Sequence, residues 1–264
     1  MSGTTPPVAI ERAGAVARLW LDRPASHNSL APDLAAALAA SFHELAHDDA
    51  VRVVVLGGRG PSFCAGADVA TMRASAAASF EENLAEAERL SGTFATVADF
   101  PKPLVARVHG HALGGGVGLL CACDIAVAAD DARFGLSEVR LGILPAIISP
   151  YVLRRVGDRH ARELMLTGER FDTATALRVG LVHHVAPAAA LDEKVGERIE
   201  ALLAGGPAAQ RRIKTLIELR ADSTWEEYRA ALPRVLAEVR QGDEAREGLT
   251  AFIEKRKPRW TTER

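Results

Sequence analysis

The sequence predicts a mixed α/β fold over residues 1–190, closed by an all-helical segment over 191–264. Two patterns carry this. Strand, turn, strand and helix signatures recur several times before about residue 190, with no measurable sequence repeat beneath them. Beyond it no strand pattern appears, only helical spacing. The chain has 264 residues, 48% hydrophobic and 25% charged, enough for one large domain with an appendage.

The elements follow in order. Residues 8–11 and 15–21 read as two strands around a turn at Ala13-Gly14. The second sets Val16, Arg18 and Trp20 against Ala17, Leu19 and Leu21, the period of a strand. Pro32 suits a first helical turn, and Leu34, Leu38, Phe42 and Leu45 follow at helical spacing. Residues 52–56 form a compact β-branched run, a buried strand closed by Gly57-Gly58. Phe80, Leu84, Ala87, Leu90, Phe94 and Val97 mark a long amphipathic helix, ended by Pro101 and Pro103 before a strand over Leu104–Val108. A Gly-rich turn, a short apolar helix and a strand over 124–128 come next. Ser149-Pro150 reads as an N-cap and first helical residue. Residues 191–203 are helical, Gly205-Gly206-Pro207 breaks the run, and three more helical segments reach about Lys255. Four marginally amphipathic helices at a chain end suit packing on another subunit.

Composition narrows the function. A net charge of −2 with interspersed signs gives no nucleic-acid footprint, and the helix from Pro32 carries no basic residue except histidine. Cys64, Cys121 and Cys123 lack metal-ligand spacing and suit buried free thiols in a reducing compartment. The first seven residues show no basic start and no apolar core, so no signal peptide is expected. The most apolar stretch, 112–129, is broken by glycines and Asp124, a poor membrane span. A cytoplasmic protein with no membrane or nucleic-acid partner, no metal and no permanently bound cofactor is expected.

Two loops carry chemistry. Ser62-Phe63-Cys64-Ala65-Gly66-Ala67-Asp68 follows one predicted strand, and His109-Gly110-His111-Ala112-Leu113-Gly114-Gly115-Gly116 follows another. Both are rich in Gly and Ala, so a ligand can approach the backbone, and both lead into helices whose first N–H groups lack intrahelical acceptors. Two such loops converging on one point make an oxyanion hole, each donor worth roughly 3–4 kcal/mol in a transition state. Taken alone, a Gly triplet also serves as a packing turn, and the spacing is poorly placed for dinucleotide binding.

In combination these segments resemble the enoyl-CoA hydratase/isomerase (crotonase) superfamily over nearly the whole chain. Leu21-Asp22-Arg23-Pro24-Ala25-Ser26-His27-Asn28-Ser29-Leu30 is similar to its L-N-R-P-x-x-x-N-A-L motif. Residues 63–68 and 110–116 resemble its two oxyanion motifs, and Asp124 falls at its C-D dipeptide. Residues 134–145 resemble F-G-x-x-E-x-x-x-G-x-x-P, and Thr167-Gly168 its L-T-G turn. The resemblance implies a spiral of repeated ββα units over residues 1–190 and a helical C-terminal trimerisation region over 191–264, giving a homotrimer or a dimer of trimers. It implies an acyl-CoA substrate, with Ala67 and Gly115 as oxyanion donors and Glu138 as the catalytic acid/base. Coenzyme A contacts fall at Ala25, Ser26, His27, Ala65, Gly66, Ala67, Asp68 and Val69, and at Phe252 and Lys255, the last two reaching a neighbouring subunit's site. A solvated basic tail is the other reading of Lys255 to Lys257.

One departure matters. The family's hydratases use two glutamates, and the second position is Gly118 here. A single glutamate also serves the family's 3-enoyl to 2-enoyl isomerases, which need no water. The segments 114–119, 136–150 and 246–258 resemble bacterial hydratases of branched, carboxylated substrates, the methylglutaconyl-CoA and carboxygeranoyl-CoA hydratases, in which Gly at this position is usual. A distal carboxylate calls for a cation, and Arg73 and Arg140 are candidates by position. His111 either touches substrate or is a hydrogen-bonded structural histidine; Asp68 either orients the Ala67 loop or caps the next helix. Hydration of a 2-enoyl-CoA is the leading expectation, isomerisation the second, and a CoA-thioester-binding protein without turnover the third. The acyl pocket is expected to be apolar, lined by 71–83 and Ile147-Ile148.

Overall fold

The computed structural model describes residues 6–262, so the first five residues of the predicted leader-free terminus lie outside the described residues. A hairpin of β1 (Val8–Ala13) and β2 (Val16–Leu21) opens a six-stranded sheet, which β3 (Val53–Gly58) and β4 (Leu104–Val108) extend in parallel. The chain then alternates between two sheets. β5 (His111–Leu113) enters a smaller sheet, β6 (Ile125–Ala129) returns to the large one, and β7 (Arg133–Gly135) pairs in parallel with β5. β8 (Arg170–Asp172) runs antiparallel to β7, and β9 (His184–Ala186) closes the large sheet in the order β1-β2-β3-β4-β6-β9. Isolated parallel bridges, Leu30 to Ala67 and Cys64 to Ala112, continue the small sheet. Successive turns therefore give one strand to each sheet before a helix, the ββα spiral the resemblance implies.

Helices close each turn: α1 (Pro32–His47), α2 (Val69–Ser75), α3 (Phe80–Ala98), α4 (Gly115–Ala122), α5 (Ser149–Thr167) and α6 (Thr173–Arg178). α7 (Leu191–Ala204) follows β9, and α8 (Pro207–Asp222), α9 (Trp225–Gln241) and α10 (Asp243–Ile253) end the chain. The β-branched run of β3 is buried on both faces, as its composition predicts. Val54 and Leu56 join the main core with Leu34, Leu38, Phe42 and Leu45 of α1. Val53 and Val55 point the other way, against Leu191, Val195, Ile199 and Leu203 of α7.

The predicted helical segment from 191 thus begins with a layer of the core, and the extension proper starts at Pro207. Of all residues in α8, α9 and α10 only Ala251 is buried, while Ile213, Ile217, Leu236 and Leu249 are each at least half exposed.

Two elements differ from expectation. Along α3, Phe94 and Val97 are buried but Phe80 is 75% exposed. The C-terminal half of α3 packs on α1, with Thr93 donating to the Ala35 carbonyl, while the N-terminal half projects past it, held by a Ser79/Glu82 capping box. Periodicity reports an apolar face, not what covers it. Ser149 is not the N-cap of α5: Ile148 takes that place, and the Ser149 hydroxyl donates to the Ala146 carbonyl at 2.8 Å.

Candidate active site

Strand register builds the site. The Cys64 to Ala112 bridge places the two glycine-rich loops side by side, with Cys64 N–H donating to His111 O and Leu113 N–H to Cys64 O, each at 3.0 Å. Ala67 and Gly115 each lie three residues past a member of that pair, so the two backbones carry them forward together. Both line one cavity of about 610 Å³. Gly115 opens α4, so its N–H has no intrahelical acceptor. Among the described residues neither it nor the Ala67 N–H meets a backbone or side-chain acceptor.

The third component comes from pairing in the small sheet. Leu113 lies opposite Gly135, and Gly114 N–H donates to Gly135 O at 2.8 Å. Three residues on, in the 3-10 turn Ser137–Leu141, Glu138 turns back over the glycines. A methyl group built on Gly114 would stand 2.9 Å from Glu138 Oε1, and one on Gly66 2.8 Å from the Leu113 carbonyl. Gly114 also has φ +47, which L side chains rarely adopt. Gly114→Ala is therefore expected to push the carboxylate aside and lower kcat about 10²-fold, the cost of an ångström-scale misplacement, with far less effect on acyl-CoA affinity. Steady-state kinetics beside equilibrium binding of a saturated acyl-CoA checks this.

Glu138 Oε2 is buried without a hydrogen-bond partner among the described residues. Burial raises the acid's pKa above the ordinary carboxylate range, with the backbone bond at Glu138 only partly opposing it. A desolvated carboxyl facing a cavity is the state a proton-transfer group requires. Cys64, in the first glycine-rich loop, is no competing nucleophile, since complete burial pushes its thiol up to about 12. All three cysteines are buried and free, and the described residues contain no cluster of metal-binding side chains.

Gly118 is more than a missing carboxylate. A methyl there would stand 2.3 Å from Ile148 Cγ2 and 2.8 Å from Phe94 Cε1. The space into which a second glutamate would grow is filled by two apolar side chains, with Tyr151 stacked on Phe94 at 5.9 Å. Sequence reasoning identified the glycine but not its plug, because Ile148 and Phe94 lie 30 and 24 residues from it in the chain.

Asn28 is the other residue whose role the motif alone did not reveal. Fully buried, it accepts from Arg23 N–H at 2.8 Å and donates to the carbonyls of Arg59 and Ser62 at 3.0 and 2.8 Å. It thereby clamps the Ala25, Ser26, His27 turn to the first glycine-rich loop. His27 O accepts from Ala65 N–H at 2.9 Å, and His27 Nδ1 lies 2.9 Å from Ser62 Oγ. The predicted coenzyme A contacts at Ala25 to His27 and at Ala65, Gly66, Ala67, Asp68 and Val69 therefore form one continuous rim. Asp68 caps α2, accepting from Thr71 N–H at 3.0 Å and from the Ser29 hydroxyl at 3.1 Å; the Thr71 bond leads in holding its pKa below the usual range.

Other predicted residues lie elsewhere. Phe252 is 83% exposed at the end of α10, Lys255 follows it, and neither lines the cavity. Arg73 and Arg140 are exposed and also absent from the lining; Arg140 donates to the Thr167 carbonyl. His111 is not a satisfied structural histidine: its Nδ1 is buried without a partner among the described residues, and its ring meets His27 edge-on at 6.5 Å. The cavity's titratable lining is Asp68, Glu86 and Glu138, with no lysine, arginine or histidine. The expected apolar pocket holds at Ile147 and Ile148 and only in part at 71–83, where Met72 and Ala76 line the space beside Thr71, Ser75 and Asn83.

Fold and cavity together define the class: an enzyme built as a ββα spiral, with paired backbone donors and a buried carboxylate in one cavity. The sequence profile described as Enoyl-CoA hydratase/isomerase matches residues 11–263, and the chain belongs to that family. Pseudomonas aeruginosa AtuE superposes with a TM-score of 0.93 at 39% identity, covering 97% of this chain and 99% of that one. An enoyl-CoA hydratase from Shewanella pealeana gives 0.92 at 37%, covering 96% of each chain. A short-chain-enoyl-CoA hydratase of Clostridium acetobutylicum is 32% identical over 256 residues, 95% of each protein.

Proposed function

We propose that the chain adds water across the double bond of a 2-enoyl-CoA thioester. One observation carries the reading: the unpartnered, desolvated carboxyl of Glu138 shares a cavity with the free N–H groups of Ala67 and Gly115. The thioester oxygen accepts from both N–H groups, which hold the negative charge as the C2–C3 double bond opens. Glu138 takes a proton from water as the oxygen bonds to C3, then returns a proton to C2. The enolate collapses to the 3-hydroxyacyl thioester, and the carboxylate is regenerated. The rim from Ala25 to His27 and from Ala65 to Val69 holds the coenzyme A, which arrives as part of the substrate. In this reading Phe252 and Lys255 complete a neighbour's rim in a trimer or dimer of trimers, working in the cytoplasm. The half-exposed apolar residues of α8 to α10 support that assembly.

The plug at Gly118 favours a second reading. With one carboxylate, Glu138 can take a proton from C2 and return it at C4, converting a 3-enoyl into a 2-enoyl thioester without water. The residue pattern shared with hydratases of branched, carboxylated substrates adds methylglutaconyl-CoA as a candidate. A lining of three carboxylates and no cation favours an uncharged acyl chain instead.

Incubation with 2-enoyl-CoA and 3-enoyl-CoA thioesters separately decides among these. A hydratase gives the 3-hydroxyacyl product from the 2-enoyl substrate. Double-bond migration with no hydroxyacyl product would reassign the chain as an isomerase, and tight binding without turnover would make it a non-catalytic binder.

A further inference from the structure

The cavity has an apolar throat and a polar far end. Along α3 the residues Asn83, Glu86, Leu90 and Phe94 face it, spaced so that one helical stripe runs its length. Phe94 marks the reacting end, since a methyl on Gly115 would lie 3.8 Å from Phe94 Cζ. Glu86 sits eight residues earlier, on the order of 12 Å back along the helix at 1.5 Å per residue. Leu90 lies between them on the helix, and the apolar side chains of Met72 and Ile147 line the same cavity. At the far end Ser75 Oγ lies 3.0 Å from Glu86 Oε2, and the Ser75 carbonyl accepts from Asn83 Nδ2 at 3.1 Å. The other Glu86 oxygen accepts no hydrogen bond among the described residues. One N–H of the Asn83 amide is used on the Ser75 carbonyl, which leaves its second N–H as a donor and its carbonyl oxygen as a further acceptor.

We infer that Glu86, with Asn83, selects a medium-length acyl chain carrying a hydrogen-bond donor, a hydroxyl group, at its far end. This rests on the acyl-CoA reading of the site. A purely apolar tail of that length would displace the solvation of a carboxylate and return nothing, whereas a hydroxyl donates to it. A carboxylated tail would bring like charge beside Glu86 with no cation among the lining residues to relieve it. A short acyl chain ends at Leu90 and never reaches the polar end. Glu86 is half-buried, and an acyl chain that covers it shuts out water, so discrimination by this acceptor exceeds that from an extra methylene in an apolar pocket: the unmatched ligand leaves it unpaired.

The test uses saturated thioesters, so that it does not depend on which reaction the site performs. Dissociation constants are measured by calorimetry for octanoyl-CoA, its omega-hydroxylated counterpart and its omega-carboxylated counterpart, with the intact protein and with Glu86→Leu and Glu86→Gln. The intact protein is expected to bind the hydroxylated chain about 10-fold more tightly than the plain one and the carboxylated chain most weakly. Glu86→Leu is expected to reverse the first preference, and Glu86→Gln, which keeps an acceptor, to retain much of it. Because the readout is a ratio within each variant, loss of folded protein does not move it. Equal affinity for plain and hydroxylated chains in the intact protein, or a preference that survives Glu86→Leu, would overturn the inference while leaving the acyl-CoA reading standing. Failure of all three thioesters to bind would remove that reading as well.

Discussion

Glu138→Gln is expected to cut kcat by roughly 10³–10⁴-fold, the upper part of the range for a general acid–base group, with acyl-CoA affinity changed little. The amide keeps the size and one acceptor of the carboxylate but cannot take a proton. The proposed donors, the backbone N–H groups of Ala67 and Gly115, are left in place by the substitution, so the residual rate reports what they supply alone. The hydration reading adds a pH profile. Glu138 has to be ionised to accept a proton from water, and burial raises its pKa. The acidic limb of kcat/KM should therefore lie above the ordinary carboxylate range, with activity lost as pH falls through the raised value.

The same group gives a stability prediction of opposite sense. A carboxyl whose folded pKa is raised favours the fold while it is protonated, below its unfolded pKa. That contribution is lost as pH rises through the folded value, because the ionised group must then be held desolvated. Glu138→Gln removes this cost and should raise Tm at neutral pH, with the gain fading as pH falls through the raised folded value and gone below the unfolded carboxylate pKa. Thermal melts of both proteins across that window, beside the kinetics, test whether Glu138 is held against the fold's preference. An unchanged Tm at every pH, together with retained turnover, would leave Glu138 an ordinary polar residue and sink its catalytic assignment.

What could be seen in advance divides along chain distance. The oxyanion loops were legible because each is a local pattern, a strand, small residues and a helix start, and the Cys64 to Ala112 bridge only sets them side by side. β3 was legible because a β-branched run buried on both faces looks the same in sequence and in space. The small sheet was not, since β5, β7 and β8 are three residues each and too short for any period to show. Nor was the register of Leu113 on Gly135 that delivers Glu138, which the motif supplied without its mechanism. The polar end of the cavity escaped because periodicity marks only the apolar positions of α3, Leu90 and Phe94 among them, and passes over Glu86 and Asn83, which line the same cavity.

Gly118→Ala should destabilise the protein by about 1–2 kcal/mol, although alanine is the better helix former. The helical gain is worth about 0.5–1 kcal/mol, and overpacking a filled core costs about 1–3 kcal/mol. Geometry decides which wins. The added methyl would stand 2.3 Å from Ile148 Cγ2 and 2.7 Å from Ile148 Cβ, inside contact distance of a side chain rooted at the buried N-cap of α5. Rotation of a flexible end cannot relieve a clash at Cβ, and Phe94 closes the other side at 2.8 Å. The double variant Gly118→Ala/Ile148→Ala should therefore be more stable than the two single losses add up to, with a coupling of about 0.5–3 kcal/mol typical of residues in contact. Urea unfolding of the four proteins measures it. The same cycle bears on catalysis, because Ile148 fills the place a second glutamate would need. Gly118→Glu alone should fold poorly, whereas Gly118→Glu/Ile148→Ala opens room for a second carboxylate in the cavity. A rise in hydration rate in that double variant would identify Ile148 as what limits water activation here. Full stability of Gly118→Ala would instead show that Ile148 yields, and that the position lacks a carboxylate for want of a side chain rather than of space.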